Sequence, residues 1–237
     1  MTPHNNAKRE EVASSFLFPG DPSRAKFVAE NFLQDAKLVS DVRGQVLYTG
    51  YYNDKKVSIL SSGMGSASAG IYAYELFKFY EVENIIRIGT SGGLTKDLKV
   101  GDLVFALTAS TDTNFAHQFD LKGSLSPACN FSLLEKGVAA ARENSFDHQV
   151  GMVFSSDLFS SYNFLGADSW KKWADCGAIA QDMETYALYA LASSMGKKAL
   201  SILTMTDNLV TGESFKDEDR MQGNSRMIIT ALEALTK

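Results

Sequence analysis

The chain has 237 residues, of which 45% are hydrophobic and 22% charged, enough apolar material for an α/β domain with a sizeable core. A net charge of −5 argues against a nucleic-acid groove or an anionic membrane surface as the main partner. No segment approaches the roughly 20 apolar residues that span a bilayer, and the opening MTPHNNAKREEV has no apolar h-region, so a cytoplasmic location is expected. Cys129, Cys176 and the scattered His4, His117 and His148 lack metal-ligand spacing, which disfavours a zinc site.

In chain order, apolar runs bounded by Gly, Ser or Asp alternate with helical patterns, the signature of an α/β layer architecture. Strands are expected at Ser15 to Phe18, Gln45 to Tyr52, Lys56 to Ser61, Asn84 to Gly89, Leu103 to Ala109, Gln149 to Ser155, Ala178 to Asp182 and Ala199 to Thr206. Helices are expected at Ser23 to Phe32, Ala67 to Tyr80, Phe131 to Asn144, Ala167 to Asp175, Glu184 to Ser194 and Lys216 to Leu235. Asn53 and Asp54 mark a hairpin turn. Tyr72, Leu76 and Tyr80 recur at helical spacing and read as core. With no repeats, low-complexity tracts or linkers, residues 1–237 are expected to form one domain.

Four segments sit where a strand hands over to a turn or helix, the place where open α/β sheets put ligands. In the first, Pro19 to Arg24, Gly20 allows close backbone approach and Pro22 fits a helix opening. Arg24 then falls in the first helical turn, an arrangement suited to a phosphate, although a plain turn with a solvated Arg is the bland alternative. The second runs from Arg87 to Gly93, a buried-looking strand expected to end in a glycine-rich turn bearing Thr90 and Ser91. Arg87 lies inside the run Ile85, Ile86, Ile88, where a guanidinium is costly to bury without an anionic partner.

The third segment is Ala178 to Leu188. Asp182 and Glu184 flank Met183 and point to the same side of an extended chain. They form either a helix N-terminal charge pair or an acceptor for a vicinal diol, with Met183 as an apolar face. The fourth begins at Leu203. Asp207 ends a strand and leads a loop to a helix carrying Arg220, so Asp207 is either a cap or an acid gated by Arg220.

Taken in order and spacing, PGDPSRAK, SSGMGSASAGIYAYEL, IIRIGTSGG, DLFSS, DMETYALY and TMTDN followed by Arg220 resemble the bacterial hexameric purine nucleoside phosphorylases over essentially the whole chain. The resemblance implies a mixed, twisted central sheet, partly barrel-like and flanked by helices. It implies phosphorolysis of purine ribonucleosides or deoxyribonucleosides to free base and (deoxy)ribose 1-phosphate, with phosphate as co-substrate and no cofactor. Carried over position by position, it implies phosphate binding by Gly20, Arg24, Arg87 and Thr90, with Arg43 reaching the phosphate of a neighbouring subunit. His4 would bind the ribose 5′-hydroxyl across the same interface of a homohexamer built as a trimer of dimers. Met64, Asp182, Met183 and Glu184 would hold the nucleoside, Phe159 would line the base pocket, and Asp207 with Arg220 would act at purine N7.

A free aspartate, with a reference pKa of about 3.9, is ionised at neutral pH, so such an acid has to be desolvated or share its proton with the base. Asp182 stands where the family has Glu and Thr90 where Ser is common. Asn208, Leu209 and Val210 replace a His, Ile, Arg run, and Thr113 to Leu121 lacks a basic run, departures that bear on base preference and loop closure. A uridine phosphorylase is disfavoured because Asp207 suits a purine N7. A nucleosidase is disfavoured because a hydrolase has no use for Arg24, Arg43 and Arg87 around its nucleophile. The absence of an export signal and the Asp207 and Arg220 pair disfavour a non-catalytic nucleoside-binding protein.

Overall fold

In the computed structural model, residues 1–215 and 220–237 are described, with side chains described up to 215 and from 224 onward. The elements in order are β1 (Ser15–Phe18), α1 (Pro22–Phe32), β2 (Gln34–Ser40), β3 (Leu47–Tyr52), β4 (Lys55–Leu60), α2 (Ser66–Phe79) and β5 (Asn84–Gly93). They continue with β6 (Leu103–Thr111), α3 (Phe131–Glu143), β7 (His148–Ser155), α4 (Lys171–Asp175), β8 (Ala178–Asp182), α5 (Thr185–Ser194), β9 (Lys198–Asn208) and α6 (Arg220–Thr236).

One mixed sheet of nine strands among the described residues runs β2-β3-β4-β1-β5-β8-β7-β6-β9. A further parallel pairing of β5 with β9 closes the last five strands into a ring, the barrel-like part of the fold. β1 is apolar apart from Ser15 because it lies between two parallel neighbours, β4 and β5, and is covered on both faces. One core layer joins Tyr72, Leu76 and Tyr80 of the α2 region to Leu188 and Tyr189 of α5. A second joins Ala25 and Val28 of α1 to Leu133 of α3 and Met227 and Ile228 of α6. No described helix is long and apolar enough to cross a membrane.

β1 and β8 keep the expected bounds, and Asn53 and Asp54, both at positive φ, make the β3–β4 turn. Three differences stand out. β2 is an additional strand that lies mostly exposed at the sheet edge, so it carries no alternation of apolar and polar residues. The helix expected at Ala167 to Asp175 begins at Lys171, because the chain before it runs through turns after Gly166 at φ 99°. The run Gly89 to Gly93 is strand rather than turn: Gly92 and Gly93 are paired with β8 on one side and β9 on the other. Of the helix expected from Lys216, residues 216–219 lie outside the described residues.

Candidate active site

At the ends of β1, β5, β8 and β9 the structure opens a cavity of about 740 Å³. Gly20, Arg24, Met64, Arg87, Thr90, Phe159, Asp182, Met183, Glu184 and Asp207 all line it. A second cavity, about 480 Å³, lies around Thr111, His117, Asp120 and Trp173 and holds none of these residues.

The Pro19 to Arg24 turn is fixed from both ends. Asp21 caps α1 by accepting from Ser23 N at 2.8 Å, and Ser62 N donates to Pro19 O at 2.8 Å. A Cβ on Gly20 would stand 3.2 Å from Gly63 O, so the absent side chain lets the turn and the 61–65 loop close together. Arg24 then reaches across β5 and donates to Ile88 O at 3.2 Å. Burial, with the positive charge of Arg87 beside it, holds the Arg24 pKa below the ordinary guanidinium value.

Arg87 is the centre of the site. Its side chain is 5% exposed; Nε donates to Asp182 Oδ2 at 3.0 Å and Nη2 to Glu184 Oε2. Burial alone would favour the neutral form, but the two carboxylates outweigh it and raise the Arg87 pKa, keeping the guanidinium charged. Nη1 has no partner. Glu184 also accepts from Gly65 N at 2.7 Å, which leaves lone pairs unused. Burial and the nearby Asp182 raise its pKa above the ordinary carboxylate value, against the opposing pull of Arg87.

Asp182, expected to contact a nucleoside, borders the cavity without an exposed side chain. Its side chain is fully enclosed, and both oxygens are taken. Ser155 Oγ donates to Oδ1 at 2.5 Å, while Thr185 Oγ1 at 2.6 Å, Thr185 N at 3.1 Å and Arg87 Nε share Oδ2. Position 182 is in register with Ser155 of the neighbouring β7, whose hydroxyl meets its carboxylate.

On the far wall, Gly92 pairs with Gln181 of β8 and with Asp207 of β9, so the two polar residues flank a position without a side chain. Thr206 Oγ1 donates to Asp207 Oδ2 at 2.8 Å. After Asp207 the chain turns back on itself: Asp207 bridges Ser214, and Asn208 N donates to Glu213 O at 2.7 Å. Asn208 organises this loop. Its Nδ2 donates to Thr95 O and Leu98 O, and its Oδ1 accepts from Val210 N and Thr211 N. Met64 and Phe159 are the exposed large apolar members of the lining, at 80% and 53%. Arg220 opens α6, but its side chain is outside the described residues.

His4 and Arg43 do not line this cavity. His4 Nδ1 lies 2.8 Å from Glu75 Oε1 and its ring stands edge-on to Tyr72, while Arg43, at φ 59°, sits in a short turn close enough to Tyr72 to act on it electrostatically. They form a separate surface group around Tyr72 and Glu75 of α2. Sequence reasoning did not single out Gln181, and it named Asn208 only as a loop departure, not as the anchor of that loop. The amide of Gln181 is buried with Oε1 unpartnered, a state that only side-chain packing reveals. No three His, Cys, Asp or Glu side chains among the described residues are grouped to hold a metal ion.

Residues 16–236 match the sequence model of the phosphorylase superfamily. The chain is 42% identical over 237 residues to a protein of Clostridium beijerinckii named purine nucleoside phosphorylase DeoD-type, covering 100% of this chain and 99% of that one. Proteins of the same name from Thermoanaerobacter sp. and Bacillus cereus are each 44% identical over 234 residues, spanning 98% and 99% of this chain and 99% and 98% of their own. With the matched region spanning nearly the whole sequence, the chain belongs to the phosphorylase superfamily.

Proposed function

We propose that the chain is a purine nucleoside phosphorylase that cleaves purine (deoxy)ribonucleosides with inorganic phosphate. The observation that carries this reading is the convergence, in one cavity, of two guanidiniums, a carboxylate with free acceptor capacity and a second carboxylate on the opposite wall. The relatives named above support the same reading.

In the proposed reaction, phosphate lies against Gly20, Arg24, Arg87 and Thr90, where charge-assisted hydrogen bonds orient it toward the sugar. One phosphate oxygen forms a bond to C1′ as the C1′–N9 bond breaks, and its electron pair passes to the purine. Asp207 delivers a proton to N7, cancelling the charge that develops there, a contribution typically of about 10²- to 10⁴-fold. Arg220 is proposed to approach Asp207 when the site closes. Glu184 accepts from the ribose hydroxyls, Met64 and Met183 pack on the sugar, and Phe159 borders the base. The arginines position phosphate and balance its charge, so no cofactor takes part.

Within one chain the cavity's charges do not favour an anion: among the described residues Arg24 and Arg87 stand against Asp21, Asp182, Glu184 and Asp207, two positive against four negative. A phosphate dianion therefore calls for a further cation. We assign this to Arg43 of a second copy, with His4 from the same copy at the ribose 5′-hydroxyl, which accounts for their position outside their own cavity. The proposed assembly is a homohexamer, a trimer of such dimers, acting in the cytoplasm as one domain.

The test is direct. Inosine, adenosine and uridine are incubated with and without phosphate, and the sugar product is identified. Phosphate-dependent release of purine with pentose 1-phosphate is expected. Equal rates without phosphate would make the protein a nucleosidase, and preference for uridine would make it a uridine phosphorylase.

A further inference from the structure

Arg87 is held by two carboxylates of different standing. Glu184 keeps unused acceptor capacity toward the cavity, whereas Asp182 has none: its side chain is fully enclosed and its two oxygens take donors from Arg87, Ser155 and Thr185. Thr185 Oγ1 is in turn 2.9 Å from Ser201 Oγ, and Ser201 N donates to Tyr189 Oη at 2.7 Å, so the carboxylate ends a chain of buried hydroxyls reaching β9 and α5. Every member of that chain is buried. A carboxylate so saturated cannot accept from a sugar hydroxyl without giving up a donor.

From this we infer that Asp182 is a positioning residue for phosphate rather than a ribose ligand: it clamps Arg87 through Nε, so that with Nη2 held by Glu184 the remaining Nη1 is left for the phosphate. The inference rests on the phosphorolysis reading and deepens it. The clamp fixes the plane of the guanidinium. An arginine held only by Glu184 would swing about a single contact, and displacements of the order of 1 Å cost about 10²-fold in such sites. The aspartate also meets Arg87 at Nε with a carboxylate anchored by Ser155, an arrangement in which the partner cannot follow the arginine if it moves.

The experiment is steady-state kinetics of the full-length protein with inosine and 2′-deoxyinosine, phosphate varied, for the wild type, Asp182→Asn, Asp182→Glu and Ser155→Ala, with Tm recorded for each. Asparagine at 182 can turn a donor toward Arg87 Nε and removes the charge. The phosphate KM of this variant is expected to rise about 10- to 100-fold, nucleoside KM to change far less, and the ribo- and deoxyribonucleoside rates to fall by the same factor. Glutamate, which keeps the charge, should recover most of the phosphate affinity. Ser155→Ala, which removes one anchor of the carboxylate, should raise phosphate KM in the same direction by less, and it answers the question if the asparagine variant fails to fold. A loss confined to the ribonucleoside would make Asp182 a reader of the 2′-hydroxyl and overturn the inference. So would a lowered Tm with phosphate KM unchanged. Wild-type turnover that needs no phosphate would instead defeat the phosphorolysis reading itself, a result separable from either of these.

Discussion

The guanidinium of Arg87 folds back against its own strand and lies over Gly89. A Cβ built on Gly89 would stand 2.7 Å from Nη2 and 2.9 Å from Cζ of Arg87, with Leu203 Cδ2 at 3.0 Å behind it. Neither neighbour can retreat easily: the arginine is clamped at Nε and Nη2, and Leu203 is fully buried. Gly89→Ala is therefore expected to displace the arginine head. Phosphate KM should rise by about tenfold or more, and overpacking should cost about 1–3 kcal/mol in thermal unfolding. An unchanged phosphate KM would mean that the arginine position is not what fixes phosphate affinity.

Arg87→Ala removes the guanidinium and leaves Asp182 and Glu184 facing each other in a buried site. The expected loss is about 2–5 kcal/mol in kcat/KM, most of it in phosphate KM. Varying phosphate at saturating inosine measures it. If phosphate dependence is retained in full, Arg87 is a structural cation.

Asp207→Asn keeps shape and hydrogen bonding but removes the transferable proton. kcat on inosine is expected to fall by about 10²-fold or more with nucleoside binding largely kept. A 7-methylguanosine substrate already carries positive charge on the imidazole ring and should be much less affected. Equal losses on both substrates would assign Asp207 a positioning role.

Asn208→Ala strips four hydrogen bonds at once, two to the carbonyls of Thr95 and Leu98 and two from the amides of Val210 and Thr211. Buried polar groups left without partners cost about 1–3 kcal/mol each when water cannot replace them. A lowered Tm is expected together with a fall in kcat, because the loop that starts at Asp207 loses its anchor. A variant with a lowered Tm and normal kcat would separate the loop from the chemistry.

Subunit complementation tests the shared site. Arg24→Ala and Arg43→Ala are each expected to be nearly inactive alone. After unfolding and refolding together, mixed assemblies would contain sites with both arginines intact, and activity should reappear. No recovery, in a mixture shown by sizing to form mixed oligomers, would place Arg43 outside the site.

Much of this was legible in the residues. β1 reads correctly because a short apolar run ending in Pro-Gly has few other uses, and Arg87 stands out because an arginine among isoleucines demands an anion. What local pattern cannot give is which partner satisfies it. Asp182 and Glu184 look equivalent as neighbours in an extended segment, and only the approach of Ser155 from β7 and of Gly65 from the loop before α2 distinguishes them. The glycine run after Arg87 imitates a turn because composition does not register strands on both sides. β2 escapes for the opposite reason, since an exposed edge strand buries too little to imprint a period.

The double flanking of β5 also sets a timetable for the molecule. Its inner amides, paired to β1 and then β8 on one side and to β9 on the other, should be among the last to exchange with deuterated solvent, opening only with global unfolding. Arg87 and Thr90 ride on that slow-exchanging frame. Met64 and Phe159, largely exposed across the cavity, lie outside that paired frame. The proposed phosphate cradle is thus the fixed jaw of a vice.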